Sequence, residues 1–174
     1  MANPDSFENL ALPHLDELFR TALHVLRNRE AAEDCVQEAF LQAQKSFHRF
    51  EEGTNCRAWM FKILMNVIRH HRRKWYRLWP TDMDVVLSTT PAPVELPDHI
   101  RDEDILAALE ELPESFREIV LLADVQEFAY REISTILNVP IGTVMSRLSR
   151  ARALLRSKLS ETFQPSAAAA ECAG

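Results

Sequence analysis

The chain has 174 residues, of which 47% are hydrophobic and 26% are charged, and its formal net charge is −6. This length fits one domain or two small ones, and the composition is ordinary for a soluble globular protein. No apolar run approaches the ~18 residues that a membrane span needs, and the N-terminus lacks the basic start and apolar core of a secretion signal.

The reactive residue types are scattered. Cys35, Cys56 and Cys172 are widely spaced and form no CxxC pair, so we expect reduced thiols in a cytoplasmic protein. The sequence contains no Gly-rich phosphate loop, no HExxH and no GxSxG motif, and His70-His71 is its single histidine pair. We therefore expect no enzymatic activity, no metal, no cofactor and no small-molecule substrate.

The first 50 residues predict two helices after a loose tail over residues 1–8. Apolar residues recur at helical spacing over residues 10–26 and again over residues 30–50. Only three glycines occur in the chain, which favours an all-α fold. One flank of the second helix is polar and acidic, and it is either a solvated face or a contact surface: Glu33, Asp34, Gln37, Glu38 and Gln42.

A loop over residues 51–55 precedes a third predicted helix, residues 56–77, which combines an apolar and a basic side. Trp59, Ile63 and Val67 are expected to face inward. The polar side holds Arg57, Lys62, Asn66, Arg69, His70, Arg72, Arg73 and Lys74, and the aromatic residues at its basic end are Trp75, Tyr76 and Trp79. Interleaved aromatic and basic side chains suit single-stranded nucleic acid. The alternative is that the aromatic residues cap a domain edge and that Trp59 is chiefly a core residue, which we favour for Trp59.

Residues 78–100 differ in character from both flanks, with four of the nine prolines and no lysine or arginine. Such a segment is typical of a flexible linker.

The charges are unevenly distributed along the chain. Residues 69–77 and 147–158 each carry five basic residues and no acid, whereas residues 81–114 carry ten acids and one arginine. Two basic patches separated by an acidic segment indicate a nucleic-acid partner better than the net charge does.

The C-terminal part predicts helices over residues 102–112 and 114–125, followed by a helix-turn-helix over residues 130–156. Asn138-Val139-Pro140 provides the turn, and Thr143 is the expected N-cap of the second helix. Its expected buried stripe is Val144, Leu148, Ala151 and Leu155, and its expected outer arc is Met145, Ser146, Ser149, Arg150, Ala153 and Arg156, flanked by Arg147 and Arg152. Small polar residues and arginines suit a helix in a DNA major groove, although many amphipathic helix pairs never bind DNA.

Three stretches together resemble the extracytoplasmic-function (group 4) class of bacterial RNA polymerase sigma factors. They are AEDCVQEAFLQA at residues 32–43, GTNCRAWMFKILMNVIRHHRRK at 53–74 and LPESFREIVLLADVQEFAYREISTILNVPIGTVMSRLSRAR at 112–152. The GTN-x-RAW segment resembles the subset that pairs with redox-sensing zinc anti-sigma proteins. Met145 and Ser149 stand where relatives often have basic or larger residues, so the promoter sequence does not transfer.

The resemblance implies an all-α protein with two small helical domains. It places the domain that binds core RNA polymerase and the −10 element at residues 8–77, the linker at 78–100, the −35-binding helix-turn-helix domain at 101–160 and a loose tail at 161–174. It further implies promoter melting, regulation by an anti-sigma factor, and no insertion into a membrane.

The resemblance also assigns residues to each surface. The polymerase-binding residues are Asp34, Gln37, Glu38 and Phe40. The −10 DNA-binding residues are Asn55, Arg57, Trp59, Lys62, Asn66, Arg69, His70 and Arg73. The −35 DNA-binding residues are Arg131, Thr143, Met145, Ser146, Arg147, Ser149 and Arg150. A free-standing helix-turn-helix regulator is the alternative, but such proteins usually dimerise to span two half-sites, and no dimerisation element is evident.

Overall fold

The computed structural model describes the backbone of residues 4–51, 53–78 and 101–163, and the side chains of 7–51, 53–73 and 101–160. Every regular element in these ranges is helical, which confirms the all-α prediction for this part of the chain. None of these helices is long and apolar enough to cross a membrane. The predicted linker after Leu78, the aromatic side chains Trp75, Tyr76 and Trp79, and Cys172 lie outside the described residues.

Four helices form an N-terminal module. They are α1 (Pro4–Ala11), α2 (Leu15–Leu26), α3 (Arg29–Ser46) and α4 (Cys56–Leu78), with short 3-10 turns at Leu12–His14 and Phe47–Arg49. The prediction of a loose tail over residues 1–8 is wrong from Pro4 onward, because α1 begins there, and residues 1–3 lie outside the described ranges. Its Phe7 side chain is buried and packs edge-on against Phe47 with ring centroids 5.3 Å apart, so apolar contact anchors the first helix.

The boundary between α2 and α3 follows from backbone chemistry. Arg27 adopts a left-handed conformation with φ of 55° and donates its amide to the Leu23 carbonyl at 2.8 Å, which ends α2. Asn28 then caps α3, because its side-chain oxygen accepts the amide of Ala31 at 2.9 Å. The break predicted at residues 27–29 is therefore confirmed.

Helix α4 is buried more widely than its spacing predicted. Met60 and Leu64 are fully buried and Val67 is buried, whereas Trp59 and Ile63 are only half-buried. The other fully or almost fully buried side chains of this helix are Phe61, Met65 and Ile68. A second apolar stripe exists because α4 packs against α3 on one side and against the C-terminal half of the chain on another.

The C-terminal module consists of α5 (Asp102–Glu110), α6 (Glu114–Val120), a π-helical turn at Leu121–Val125, α7 (Tyr130–Leu137) and α8 (Ile141–Phe163). Helix α5 ends two residues before the predicted Leu112. The helix predicted to run to Val125 changes to the π-helical turn after Val120. Helix α8 begins at Ile141, since the Pro140 carbonyl already accepts the amides of Thr143 and Val144. Thr143 is therefore in the first turn and is not the predicted N-cap.

Arg117 ties the ends of two helices together. Its side chain is 5% exposed, and its guanidinium donates to the carbonyls of Leu109, Glu110 and Leu112 at 2.7–3.1 Å. Two further bonds reach the carbonyls of His24 and Val25 at the end of α2, at 3.4 and 3.3 Å. These carbonyls lie at or just beyond helix C-termini, where regular i to i+4 hydrogen bonding ends. One buried cation therefore satisfies acceptors from both modules.

The two modules pack into one structure. A single cluster of buried apolar side chains runs from Phe7 to Ala151 and includes residues of both modules. At its centre Phe61 of α4 meets Phe128 edge-on with ring centroids 5.0 Å apart. The described modules are therefore joined by a shared apolar interface and not only by the connecting segment.

Candidate nucleic-acid interface

The outer arc of α8 is open to solvent. Val144, Leu148 and Ala151 are buried as predicted, while Leu155 is only half-buried and the buried stripe continues at Leu159. The residues predicted to face DNA divide into exposed ones (Arg131, Met145, Ser146, Ser149 and Arg150) and half-buried ones (Thr143 and Arg147). None of these side chains is buried, so the arrangement meets the first requirement of a surface that enters a groove.

The turn between α7 and α8 is held by local hydrogen bonds. Asn138 adopts a left-handed conformation with φ of 53°, which ends α7. The Val139 amide donates to the Ser134 carbonyl at 3.1 Å, and the Ser134 hydroxyl donates to the Val139 carbonyl at 2.6 Å. Glu132 caps the start of α7 by accepting the Ala129 amide at 2.9 Å. Because the turn is fixed in this way, α8 keeps a defined angle to α7.

Arg152 belongs to the structural support of α8. Its guanidinium forms a bidentate ion pair with the carboxylate of Asp124, in the π-helical turn. This ion pair raises the pKa of Arg152 further above its already high ordinary value. Asp124 thus neutralises one of the five basic residues counted in the C-terminal patch.

The predicted −10 residues of α4 fall on two different faces of the helix. One face points outward and is exposed; it consists of Lys62, Asn66, His70 and Arg73. These positions are spaced by four, four and three residues, which aligns them along one side of a helix. The other face points toward the C-terminal module and carries Arg57 and Arg69. The sequence had predicted one continuous surface.

The inward-facing cations already have partners. Arg57 donates to both oxygens of Glu17 at 2.9 and 3.0 Å and to the backbone carbonyl of Gln126 at 2.9 Å. Its guanidinium also lies 4.3 Å from the centre of the Phe128 ring. Arg69 donates to the Leu137 carbonyl at 2.8 Å, at the end of α7.

Asn55, at the start of α4, is held in the same way: its amide donates to Glu132 at 2.6 Å. The side-chain oxygen of Asn55 caps α4 by accepting the backbone amide of Ala58 at 3.1 Å. That Asn55, Arg57 and Arg69 bind DNA stays a prediction. In this conformation each donates to a residue of the second module; Arg57 and Arg69 are half-buried, whereas Asn55 is exposed.

Arg72, which the sequence placed on the basic side, is even less accessible. Its side chain is 13% exposed and pairs with Glu118 and with Glu114, the latter at 3.1 Å. Burial raises the pKa of Glu118, and the neighbouring Arg72 opposes that shift. The expected basic patch over residues 69–77 is thus partly internal in its described portion.

Trp59 lies in an aromatic cluster. Its ring centroid is 5.0 Å from that of Phe50 and 6.3 Å from that of Phe47, and the side chain is half-buried. This placement agrees with a core role as its main function.

The acidic flank of α3 is accessible. Asp34, Gln37 and Glu38 are exposed, and Glu38 accepts a hydrogen bond from Gln42 at 2.7 Å. Phe40 differs from them, because it is half-buried and its ring centroid is 6.4 Å from that of Phe7. Phe40 therefore packs mainly against α1 and adds little to the exposed surface of this face.

The two thiols in the part of the chain that the structure describes, Cys35 and Cys56, show no sign of activation. Burial raises the pKa of Cys35 to about 11 and also raises the pKa of Cys56. A thiol with a raised pKa stays protonated near neutral pH and reacts slowly. Within the described ranges, no cluster of histidine, cysteine and acidic side chains has the arrangement of a metal site.

Sequence reasoning missed Arg117, Glu118 and Gln126 as important residues. Each of them has a partner 46 to 105 residues away along the chain, and no local pattern announces such contacts. A weak signal did exist, because Arg117 interrupts an apolar stretch. That signal does not identify the carbonyl groups to which the guanidinium donates.

An all-helical pair of modules, one ending in a solvent-exposed helix-turn-helix and the other carrying a basic helix, defines a DNA-binding transcription protein. The chain matches the Sigma-70 region 2 model over residues 10–77 and the model for Sigma-70, region 4, over residues 102–155. The chain belongs to the extracytoplasmic-function (ECF) RNA polymerase sigma factors.

Curated relatives agree with this assignment. The chain is 32% identical to ECF RNA polymerase sigma factor EcfG of Rhodopseudomonas palustris over 165 residues, covering 92% of this chain and 91% of that protein. It is 34% identical over 168 residues to ECF RNA polymerase sigma factor SigE of Mycolicibacterium smegmatis, covering 91% of this chain but 65% of that longer protein.

A solved structure supports the arrangement of the helices. The sigma factor RpoE in complex with the anti-sigma factor NepR from Bartonella quintana matches with a TM-score of 0.72 and 31% identity, over 89% of this chain and 97% of that one. CnrH in complex with the cytosolic domain of CnrY matches with a TM-score of 0.64 at 22% identity, which supports the fold alone.

Proposed function

We propose that this sigma factor directs core RNA polymerase to specific promoters and assists the opening of promoter DNA. The observation that carries the proposal is the exposure of Met145, Ser146, Ser149 and Arg150 on the outer arc of α8, although α7 of the same module packs against α4. The chain contains both Sigma-70 region 2 and Sigma-70 region 4, so it has one module for each of two promoter elements. The protein then acts in the cytoplasm as a regulatory factor.

Recognition of the −35 element is assigned to α7 and α8. The exposed residues Met145, Ser149 and Arg150 are available to base edges. Exposed Arg131 on α7 and half-buried Arg147 on α8 are assigned to phosphate or bases. Arginine makes bidentate hydrogen bonds to guanine, and serine or methionine allows close approach to other bases. Thr143 and Ser146 lie in the first two turns of α8, and helix N-termini attract phosphate.

Recognition of the −10 element is assigned to α4 and the loop before it. Lys62, Asn66, His70 and Arg73 form the exposed face, and Trp59 borders it. Unpaired bases stack on aromatic rings while cations contact the backbone. Asn55, Arg57 and Arg69 are assigned to the same task, and they require the second module to move away first.

Binding of polymerase is assigned to the acidic flank of α3. Asp34, Gln37 and Glu38 are exposed on adjacent turns, and the half-buried Phe40 packs against Phe7 of α1. Clustered carboxylates attract a basic partner and speed its association.

We also infer regulation by an anti-sigma factor. The similar RpoE structure contains such a partner, and that chain is covered over 97% of its length. Whether the partner of this chain is a redox-sensing zinc protein, as the GTN-x-RAW segment predicts, is a separate prediction. Co-purification from the native host with subsequent mass spectrometry identifies the partner.

Run-off transcription tests the proposed function. Core RNA polymerase with and without the purified chain is supplied with a library of host promoter fragments, and transcripts are sequenced from their 5′ ends. We expect new starts preceded by a shared pair of elements only when the chain is present. Absence of any new start, with folded protein and no inhibitor, contradicts the proposal. Tight duplex binding by the chain alone favours a free-standing regulator instead.

A further inference from the structure

Two large apolar side chains are exposed side by side at the start of α8. Ile141 is 43% exposed and Met145 is 55% exposed. They are four residues apart, so they are neighbours on one side of the helix. Neither belongs to the buried apolar cluster that joins the two modules. Burial in the core therefore does not account for apolar residues at these two positions.

The surroundings of this apolar pair are those of a DNA-binding surface. Gly142 and Ser146 are exposed beside it, and a side-chain carbon added at Gly142 would meet no atom within 4 Å. A large partner can therefore approach the helix backbone closely. Helix α8 contains no acidic residue before Glu161. The pair is thus continuous with the surface assigned to the −35 element, and this charge pattern favours DNA as its occupant.

The major groove offers one apolar group to such a pair. Every base pair presents hydrogen-bond donors and acceptors there, and thymine alone among the four bases adds a methyl group, on C5. Contact between this methyl group and an apolar side chain removes the surface of both from water, which is favourable. Methionine suits such a contact, because its side chain is unbranched and adapts its shape to the partner.

We propose that Met145 selects thymine in the −35 element by packing against its 5-methyl group, and that Ile141 extends the apolar surface. The inference rests on the proposed function, because that function places α8 in the major groove. It goes further by naming the base that one flank of α8 reads. Arg150 lies about 140° around the helix from Met145, at 100° per residue, and suits guanine. The two flanks of α8 therefore select different bases.

The rise of the helix limits how far apart these two bases lie. Met145 and Arg150 are separated by about 7.5 Å along the helix axis, at about 1.5 Å per residue. Successive base pairs are spaced by about 3.4 Å. With α8 lying along the groove, the thymine selected by Met145 lies about two base pairs from the guanine selected by Arg150, on either strand.

Deoxyuridine provides the test, because it pairs with adenine as thymidine does and lacks only the 5-methyl group. Each thymine of the −35 element, on either strand, is replaced singly in a promoter fragment identified by run-off transcription. Binding of the holoenzyme is measured at one fixed salt concentration, since affinity for DNA depends on salt. The wild type should lose about fourfold in affinity at one or two of these positions, as for one buried group of methyl size.

Substitutions at Met145 identify the side chain responsible. Met145→Ala should bind the thymine fragment about fourfold more weakly than the wild type and should not distinguish it from the deoxyuridine fragment. Met145→Leu keeps an apolar side chain of similar volume and should retain the discrimination. Leu12→Ala is the matched control, because Leu12 is 53% exposed in the N-terminal module, and it should keep the wild-type ratio of affinities.

Two results overturn the inference. One is a wild-type affinity that deoxyuridine leaves unchanged at every position of the element. The other is a Met145→Ala variant that keeps the wild-type ratio between the two fragments, and an overall loss of affinity in that case would assign Met145 to a protein contact.

Initiation on the thymine fragment by the wild type tests the proposed function separately. A wild type that initiates and binds both fragments equally overturns this inference alone. A wild type that neither binds nor initiates contradicts both the inference and the proposed function.

Discussion

Helices α4 and α8 are both long, both basic and both assigned to promoter DNA, yet they present their cations differently. On α8 the side chains of Met145, Ser149 and Arg150 are exposed, and the neutralised arginine, Arg152, lies to one side of them. On α4 Arg57 and Arg69 donate to carbonyl and carboxylate oxygens of the molecule itself. The comparison teaches that a basic helix is an available DNA surface only where no other part of the chain has supplied its acceptors.

The difference has a physical origin in the width of the apolar face. Helix α8 buries one stripe, including Val144 and Leu148, so its opposite side remains in solvent. Helix α4 buries residues such as Phe61 and Met65 on a second stripe, because it lies between two groups of helices. The polar residues that border this second stripe are carried into the interface together with it.

The largest expected effect comes from the most buried cation, Arg117. Arg117→Ala removes a charged donor from carbonyls at two helix ends, and it should lower the free energy of unfolding by about 3 kcal/mol, since bonds to charged donors contribute about 1.5–3 kcal/mol each, while water and the remaining donors replace some of them. Urea unfolding followed by circular dichroism measures this. Arg150→Ala is the matched control and should change stability by no more than about 0.5 kcal/mol. Equal losses in both variants would contradict the distinction between buried and exposed arginines.

The second prediction concerns function at the exposed helix. Arg150→Ala should weaken promoter recognition by roughly 1–3 kcal/mol if its guanidinium makes a bidentate base contact. Holoenzyme binding to a promoter found by the run-off assay measures this, with single-base substitutions in the −35 element. Arg156→Ala, also exposed on α8, is the control and should weaken binding similarly at every sequence. A uniform loss for Arg150→Ala as well would show a phosphate contact rather than base reading.

The third prediction concerns the acidic flank of α3, whose charge is opposite to that of α4 and α8. Glu38→Lys should weaken binding to core RNA polymerase by about 1 kcal/mol, as for a single exposed charge contact, and leave the unfolding curve unchanged. Pull-down with core enzyme at two salt concentrations measures this. Glu8→Lys, exposed on α1, is the control with the same change of charge. Unaltered polymerase binding by Glu38→Lys would remove α3 from the proposed contact surface.

The smallest effect is a pH dependence that distinguishes a carboxylate of the interface from one on the surface. Burial raises the pKa of Glu118 above its ordinary value of 4.5, so the folded protein holds this proton more tightly than the unfolded chain. Its contribution to stability therefore decreases as pH rises above 4.5. The Lys158 ammonium lowers the pKa of Glu111, so the contribution of that group is present above 4.5 and is lost as pH falls through the lowered value.

Unfolding of the wild type, Glu118→Gln and Glu111→Gln between pH 2 and 7 separates the two groups. The stability difference between wild type and Glu118→Gln should fall as pH rises above 4.5, whereas the difference for Glu111→Gln should rise as pH increases toward 4.5 and stay level above it. Slopes of the same sign would show that Arg72 lowers the pKa of Glu118 by more than burial raises it.

Much of this molecule could be predicted from local pattern. The break between α2 and α3, the buried stripe of Val144, Leu148 and Ala151, and the turn at Asn138 all follow from residue types at short separation. Errors occurred where short-range signals compete: Thr143 is a good cap, but Pro140 accepts the first bonds of α8. The tail over residues 1–8 was wrong because nothing local shows that Phe7 packs against Phe47.

The sequence by itself determined that the chain is helical, that two of its helices are basic, and that its motifs are those of an ECF sigma factor. Only the tertiary structure decided which cations remain accessible. The reason is that charge and helical periodicity are properties of neighbouring residues, whereas acceptors of Arg57, Arg69 and Arg72 come from segments distant in sequence. Accessibility is a property of the packed chain, and packing is settled by all the apolar faces together.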